Sequence, residues 1–357
     1  MEPEVLLNAK NSIGTITLNR PNTLNALTMN MIREMRSAFT QWIRDDDIKI
    51  IFIKGNGDRA FCAGGDVRAV RQAIIDHDGV APPQLAQEFF YEEYILNHQI
   101  HTCKKPYIAL IDRVCMGGGV GLSVHGAFRI ATERTLVGMP ETTIGLFPDV
   151  GGAWFLSRLP GEMGTYLALT GQPVHSGDCL SLGIATHLVA SDSLDDLERN
   201  IFGLDPENMQ YGVIDDLLNN YSIAPEETPV MNLKPQIDEC FAEDTIEQII
   251  ANLKKLDNEF SHQSLGLLAN KSPTSLKVTL EQIRRGGKAK NFGETMTMEY
   301  RMSQHFVRGK DFPEGVRALL IDKDHQPTWD PKIIENVSDE DVMEYFKSVP
   351  WRELKFS

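Results

Sequence analysis

Residues 13–18, Ile-Gly-Thr-Ile-Thr-Leu, alternate as a half-buried strand does, and Asn19-Arg20-Pro21 ends the pattern. The period then lengthens. Met31, Ile32, Met35, Phe39 and Ile43 recur at helical spacing in a run from Met29 to Trp42. Thr28 stands just before it, where a side-chain oxygen can accept an N–H of the first turn. Ile48 to Ile53 is a β-branched run that predicts a buried strand, and Gly55-Asn56-Gly57-Asp58 predicts a turn. Strand, helix, strand in that order predicts a right-handed crossover and an α/β core.

Further on, the pattern predicts a helix over 84–102, a strand over 108–114, a helix over 120–126 and a strand over 128–132. A short stretch at Leu136-Val137 leads into Pro140-Glu141, and Gly151-Gly152 opens a helix that runs to Leu159. Residues 165–190 read as two short helices closed by His187-Leu188-Val189. Beyond about residue 192 the strand pattern disappears and helical spacing dominates, over 246–256, 273–286 and 295–307. The proline-rich stretch 222–235 lacks periodicity and reads as a linker. The expected organisation is an α/β core over 1–200 and a helical C-terminal region over 225–357.

Composition narrows the function. No apolar run reaches the roughly 18 residues a spanning helix needs, so no membrane role is expected. The formal net charge of −15 repels a phosphate backbone, so no nucleic-acid partner is expected either. The same field repels any phosphate-bearing small molecule, whose site must then gather local cations or backbone N–H groups. Five cysteines at wide spacing, without a CxxC, predict neither a disulfide framework nor a zinc site. The first residues carry no secretory signal and no Arg-rich presequence.

Three segments carry chemistry. Phe61-Cys62-Ala63-Gly64-Gly65-Asp66 and Met116-Gly117-Gly118-Gly119-Val120-Gly121 each fall where a strand gives way to a helix. Free N–H groups of a first helical turn point outward there, and two aimed at one oxygen make an oxyanion hole. Tight turns and close packing account for either glycine segment taken alone. Neither matches GxGxxG with a downstream ribose acid, and neither is a Walker A loop. The third segment, Met139 to Gly152, sets Glu141 and Asp149 eight residues apart among apolar neighbours, which raises carboxyl pKa values and suits acid/base work. The alternative is that Asp149 caps the following helix and Glu141 ends a strand at the surface. Ser123 and His125 lie two apart on a helical run, so their side chains diverge and no serine-hydrolase arrangement is expected. Cys62 and Cys115 read as small buried hydrophobes and His187 as structural.

Taken together and in this order, AGGD, GGGVGLSVHG and MPETTIGLFPDVGG resemble the crotonase (enoyl-CoA hydratase/isomerase) superfamily. The resemblance is to the branch that hydrolyses hydroxyacyl-CoA thioesters. It extends through Glu92-Glu93-Tyr94-Ile95-Leu96-Asn97, Leu169-Thr170-Gly171, Gly183-Ile184-Ala185-Thr186-His187 and Ser272-Pro273-Thr274-Ser275-Leu276-Lys277. Phe312-Pro313-Glu314-Gly315-Val316-Arg317-Ala318 and Asp322-Lys323-Asp324 belong to it as well.

The resemblance implies an α/β fold with a crotonase-type ββα spiral core and a helical C-terminal region. It implies that the N–H groups of Gly65 and Gly118 form the oxyanion hole, that Glu141 and Asp149 are the catalytic pair, and that Glu93 contacts the substrate together with Gly118, Glu141 and Asp149. Hydratases of the superfamily carry a second glutamate where this chain has Gly121, and usually glycine where it has Asp149. The implied reaction is hydrolysis of 3-hydroxyisobutyryl-CoA, and of 3-hydroxypropionyl-CoA, in valine catabolism; the alternative is hydration or isomerisation of an enoyl-CoA. No metal and no cofactor are implied, since CoA is part of the substrate. Arg20, Arg68 and Lys277 are candidates for its phosphates by location. The resemblance implies the mitochondrial matrix and leaves a homo-oligomer open.

Overall fold

The computed structural model describes residues 2–79 and 81–356. Ten strands occur among them: β1 (Val5–Lys10), β2 (Ile13–Leu18), β3 (Ile50–Gly55), β4 (Ala60–Cys62), β5 (Tyr107–Ile111), β6 (Val114–Met116), β7 (Phe128–Thr132), β8 (Leu136–Gly138), β9 (Val174–His175) and β10 (His187–Val189). From β3 onward they come in pairs. The first of each pair, β3, β5 and β7, enters a six-stranded sheet ordered β1-β2-β3-β5-β7-β10; the second, β4, β6 and β8, enters a four-stranded sheet ordered β4-β6-β8-β9. A helical element follows every pair: Val67–Ile75, Gly118–Ser123 and Glu141–Ile144. This is the ββα spiral that the resemblance implied.

By contact density the chain forms two compact units, each assembled from three segments. The first comprises Met1–Gly65, Leu96–Val137 and Val174–Met231. In it β1 and β2 form an antiparallel hairpin, and the other neighbours in the six-stranded sheet are parallel. The expected crossover is present, since β2 and β3 pair in parallel around the helix Met29–Arg44. Thr28 caps that helix by accepting the Met31 N–H at 3.1 Å. Ile13, Ile50, Phe52, Ile108, Leu110 and Ile130 form one face of the sheet, packed under Leu197, Ile201, Ile214 and Leu218. The last four come from the helices Leu194–Phe202 and Tyr211–Tyr221.

The second unit comprises Asp66–Ile95, Gly138–Pro173 and Asn232–Ser357. Its centre is the helix Pro273–Gly286, which starts on proline behind a Ser272 cap and is buried over most of its length. Tyr166 beside it meets Phe241 edge to face and Phe260 at a tilt, with ring centroids 5.2 and 5.8 Å apart. The expected linker over 222–235 holds two short helices, Pro229–Asn232 and the start of Lys234–Phe241. No strand follows β10 among the described residues, and no described helix is long and apolar enough to cross a membrane.

Candidate active site

The second unit buries carboxylates that have few cations to meet. Glu93 lies on the helix Gln84–Thr102, whose residues 93–97 are all buried. Glu141 opens the single turn Glu141–Ile144. Asp149 lies in the bend before the helix Gly152–Leu156. All three are almost wholly shielded, at 3%, 6% and 5% exposure. Glu141 is therefore not a surface strand end. The helix after Asp149 has Gly151, not Asp149, as its N-cap, and the Asp149 carboxylate accepts the Tyr94 hydroxyl.

These acids act on one another. Burial pushes Asp149 up to about 7, against a hydrogen bond from the Tyr94 hydroxyl to its Oδ2 at 2.8 Å. Burial raises Glu141 well above the usual carboxylate range, and the charges of Asp149 and Glu93 add to that rise. Glu93 is raised by burial and then by Asp149. The Lys271 ammonium opposes the rise at Glu141. Lys271 is itself lowered to about 8 by burial and donates to the Thr143 hydroxyl. Glu141 Oε2 and Glu93 Oε1 have no hydrogen-bond partner among the described residues. Carboxyls gathered in a dry site cannot all ionise together, so the cluster holds a proton near neutrality and can pass one on.

The glycines of both segments lie in the first unit, and there the two turns touch. β4 ends at Cys62 and β6 at Met116, two strands paired in parallel. Ala63 N–H donates to Leu24 O at 3.0 Å and Leu27 N–H to Gly64 O at 2.9 Å. The helical bonds after the glycine triple begin with Val120 and Gly121, whose N–H groups both reach Gly117 O. The N–H groups of Gly65 and Gly118 take no part in these bonds. A Cβ at Gly119 would stand 2.4 Å from Cys62 O, so only glycine lets the two turns approach this closely. Gly119→Ala should lower stability by about 1–3 kcal/mol through overpacking, measured by urea unfolding; unchanged stability would show that the contact yields freely.

The other candidates are placed as follows. The Ser123 hydroxyl donates back to Gly119 O and Val120 O at 3.0 and 3.1 Å, as helix serines do. His187 is buried, bonds Thr186 and lies 3.4 Å from Asp215, a structural arrangement. Lys277 is committed to Glu247 and Val337 O at 2.7 and 2.8 Å, and Arg20 to Glu4 and Ala26 O at 3.1 and 2.6 Å. Arg68 is exposed.

The sequence of the enoyl-CoA hydratase/isomerase family matches residues 13–346. The chain belongs to that family. Two relatives, the mitochondrial 3-hydroxyisobutyryl-CoA hydrolases of Rattus norvegicus and Homo sapiens, are each 47% identical to this chain over 99% of it and 91% of their own length. Among solved members, a carnitinyl-CoA dehydratase from Mycobacterium thermoresistibile superposes with a TM-score of 0.91 at 37% identity, covering 99% of both chains. An enoyl-CoA hydratase from Rhodobacter sphaeroides 2.4.1 superposes with 0.90 at 35% identity, over 99% of this chain and 100% of its own.

Sequence reasoning missed Tyr94, Lys271 and a fourth buried acid, Glu299. Tyr94 and Glu299 stand on the buried face of a helix, where a polar group among apolar neighbours was the available signal; Lys271, between Asn270 and Ser272 ahead of a helix, had none. Glu299 shows it best, because it shares a face with Phe292, Met296 and Ser303 at helical spacing.

Proposed function

We propose that the protein is an acyl-CoA thioester hydrolase that cleaves 3-hydroxyisobutyryl-CoA, and 3-hydroxypropionyl-CoA as a second substrate, to the free hydroxy acid and CoA. The observation that carries this is the pair of buried carboxylates Glu141 and Asp149, the second close enough that its charge raises the first, in a chain 47% identical to 3-hydroxyisobutyryl-CoA hydrolases. The N–H groups of Gly65 and Gly118 take the thioester oxygen and favour the negative charge that develops on it. Glu141 then acts in one of two ways. As nucleophile it adds to the carbonyl carbon, and collapse expels CoA thiolate and leaves a mixed anhydride that water opens. As base it removes a proton from water, and the hydroxide adds instead. Asp149 exchanges a proton with the leaving thiolate or orients the substrate hydroxyl, and Glu93 receives that hydroxyl. Single-turnover hydrolysis in oxygen-18 water distinguishes the routes, since only the anhydride delivers label into Glu141.

The solved relatives titled hydratase and dehydratase favour a second reading, addition of water to an enoyl-CoA. Against it, position 121 is a buried glycine and offers no second acid on that side. Purified protein should release free thiol from 3-hydroxyisobutyryl-CoA. Absence of thiol, with hydration of crotonyl-CoA, would establish the second reading. The relatives' names support a mitochondrial location and a step in valine breakdown.

The pH profile gives a further check. If Asp149 must be ionised, kcat/KM falls as pH drops through about 7. The Tyr94 hydroxyl bond holds that value down, so Tyr94→Phe should move the acid limb to higher pH. A limb that stays in place would remove Asp149 as its origin.

A further inference from the structure

Asp149 heads a turn that the backbone does not favour. Val150 follows at φ 50° and Gly151 at φ 86°. Positive φ on a β-branched residue is an outlier, and such a residue persists only where its surroundings over-determine it.

Two buried side chains from two helices supply that constraint. Glu299, on Phe292–Phe306, accepts the Gly151 N–H on Oε2 at 2.7 Å and the Ala153 N–H on Oε1 at 2.8 Å. Gln282, on Pro273–Gly286, donates from Nε2 to Pro148 O at 2.7 Å and to Glu299 Oε1 at 3.2 Å. Both are fully buried. The backbone is thus held immediately before Asp149 and again two and four residues after it. An acid buried without a cation, accepting only N–H groups, is a costly device if a helix end is all it serves; a serine or aspartate at the N-cap does that locally.

We propose that Glu299 and Gln282 form a clamp that fixes the strained Asp149-Val150-Gly151 turn and so sets the direction of the Asp149 carboxylate. Tyr94 holds that carboxylate by its side chain, and the clamp holds it through the main chain. Both clamp residues are positioning residues, and the inference rests on the reading that Asp149 takes part in thioester hydrolysis. Glutamine at 299 keeps the shape but offers one acceptor where two N–H groups need two. Methionine at 282 keeps the length and loses the donor.

The test uses full-length Glu299→Gln and Gln282→Met. It reads thiol release from 3-hydroxyisobutyryl-CoA, the melting temperature, and amide hydrogen exchange at Gly151 and Ala153. A loosened turn should lower kcat by about 10- to 100-fold with KM within about twofold, the size expected for a small misplacement of a reacting group. Exchange at the two amides should quicken by at least about tenfold while β3 stays protected. A helix cap alone would lower the melting temperature and leave kcat intact, and either folded variant with wild-type kcat overturns the clamp. Unchanged exchange at both amides overturns it as well. Should Glu299→Gln fail to fold, Gln282→Met decides by the same criteria. A wild-type chain that releases no thiol would refute the hydrolase reading, while the exchange arm would still judge the clamp.

Discussion

Glu141→Gln should hydrolyse 3-hydroxyisobutyryl-CoA at least about a thousand-fold more slowly than the wild-type chain, with KM changed by less than about threefold. The substitution is nearly isosteric, so the buried turn Glu141–Ile144 and the contacts around it are kept. What is lost is the only oxygen pair in the turn able to attack carbon or take a proton from water. The proposed polarisation of the carbonyl by the Gly65 and Gly118 amides should survive, and residual turnover would then measure its worth. Stability should not fall, because burial and the neighbouring acids already disfavour the ionised form of Glu141. Steady-state kinetics with a thermal melt decide the matter. A folded variant that keeps a tenth of wild-type kcat would take the reaction away from Glu141.

Asp149→Asn should cost about a hundred- to a thousand-fold in kcat and also flatten the acid limb near pH 7. It should raise the melting temperature, and more so at pH 8 than at pH 5. Burial lifts the folded value of Asp149 from 3.8 to about 7, so between those values the folded chain keeps a proton that the unfolded chain has released. The stability this contributes is full below the unfolded value and is lost as pH rises through the folded one. Above pH 7 the wild type carries an ionised acid in a dry place, whereas asparagine titrates nowhere and still accepts the Tyr94 hydroxyl. Higher activity without higher stability would reverse the assignment; lower stability at pH 8 would mean that the ionised carboxylate is welcome in the fold. The trade of stability for function is the usual one where a site needs strain or buried charge.

What the sequence made legible was local. Ile13–Leu18 and the helices Ile246–Leu256 and Pro273–Gly286 have the bounds that periodicity predicts, because apolar spacing and caps decide them. β1 escaped because five of its six residues are exposed, which removes the alternation and leaves pairing with β2 to define it. The strand expected over 108–114 breaks in two at Arg113, whose φ of 68° no pattern announces. The burial of Glu141 and Asp149 was legible in their apolar surroundings, and the resemblance singled them out. Tyr94 and Glu299 were not, since their bonds to the Asp149 segment span 55 and 148 residues, and no local rule carries that far.

Cys62, Cys115, Cys179 and Cys240 are all buried, and only Cys103 is partly open. Burial pushes the Cys115 thiol up to about 12, well outside the range in which a sulfur reacts at neutral pH. A catalyst that discharges a thiol at every turnover would, with accessible sulfurs beside its glycine turns, trade mixed disulfides with its own product. Here the enzyme is deaf to what it releases. A colorimetric reagent added to a running reaction should therefore count CoA against a background of at most one sulfur per native chain, rising to five only when the protein is unfolded.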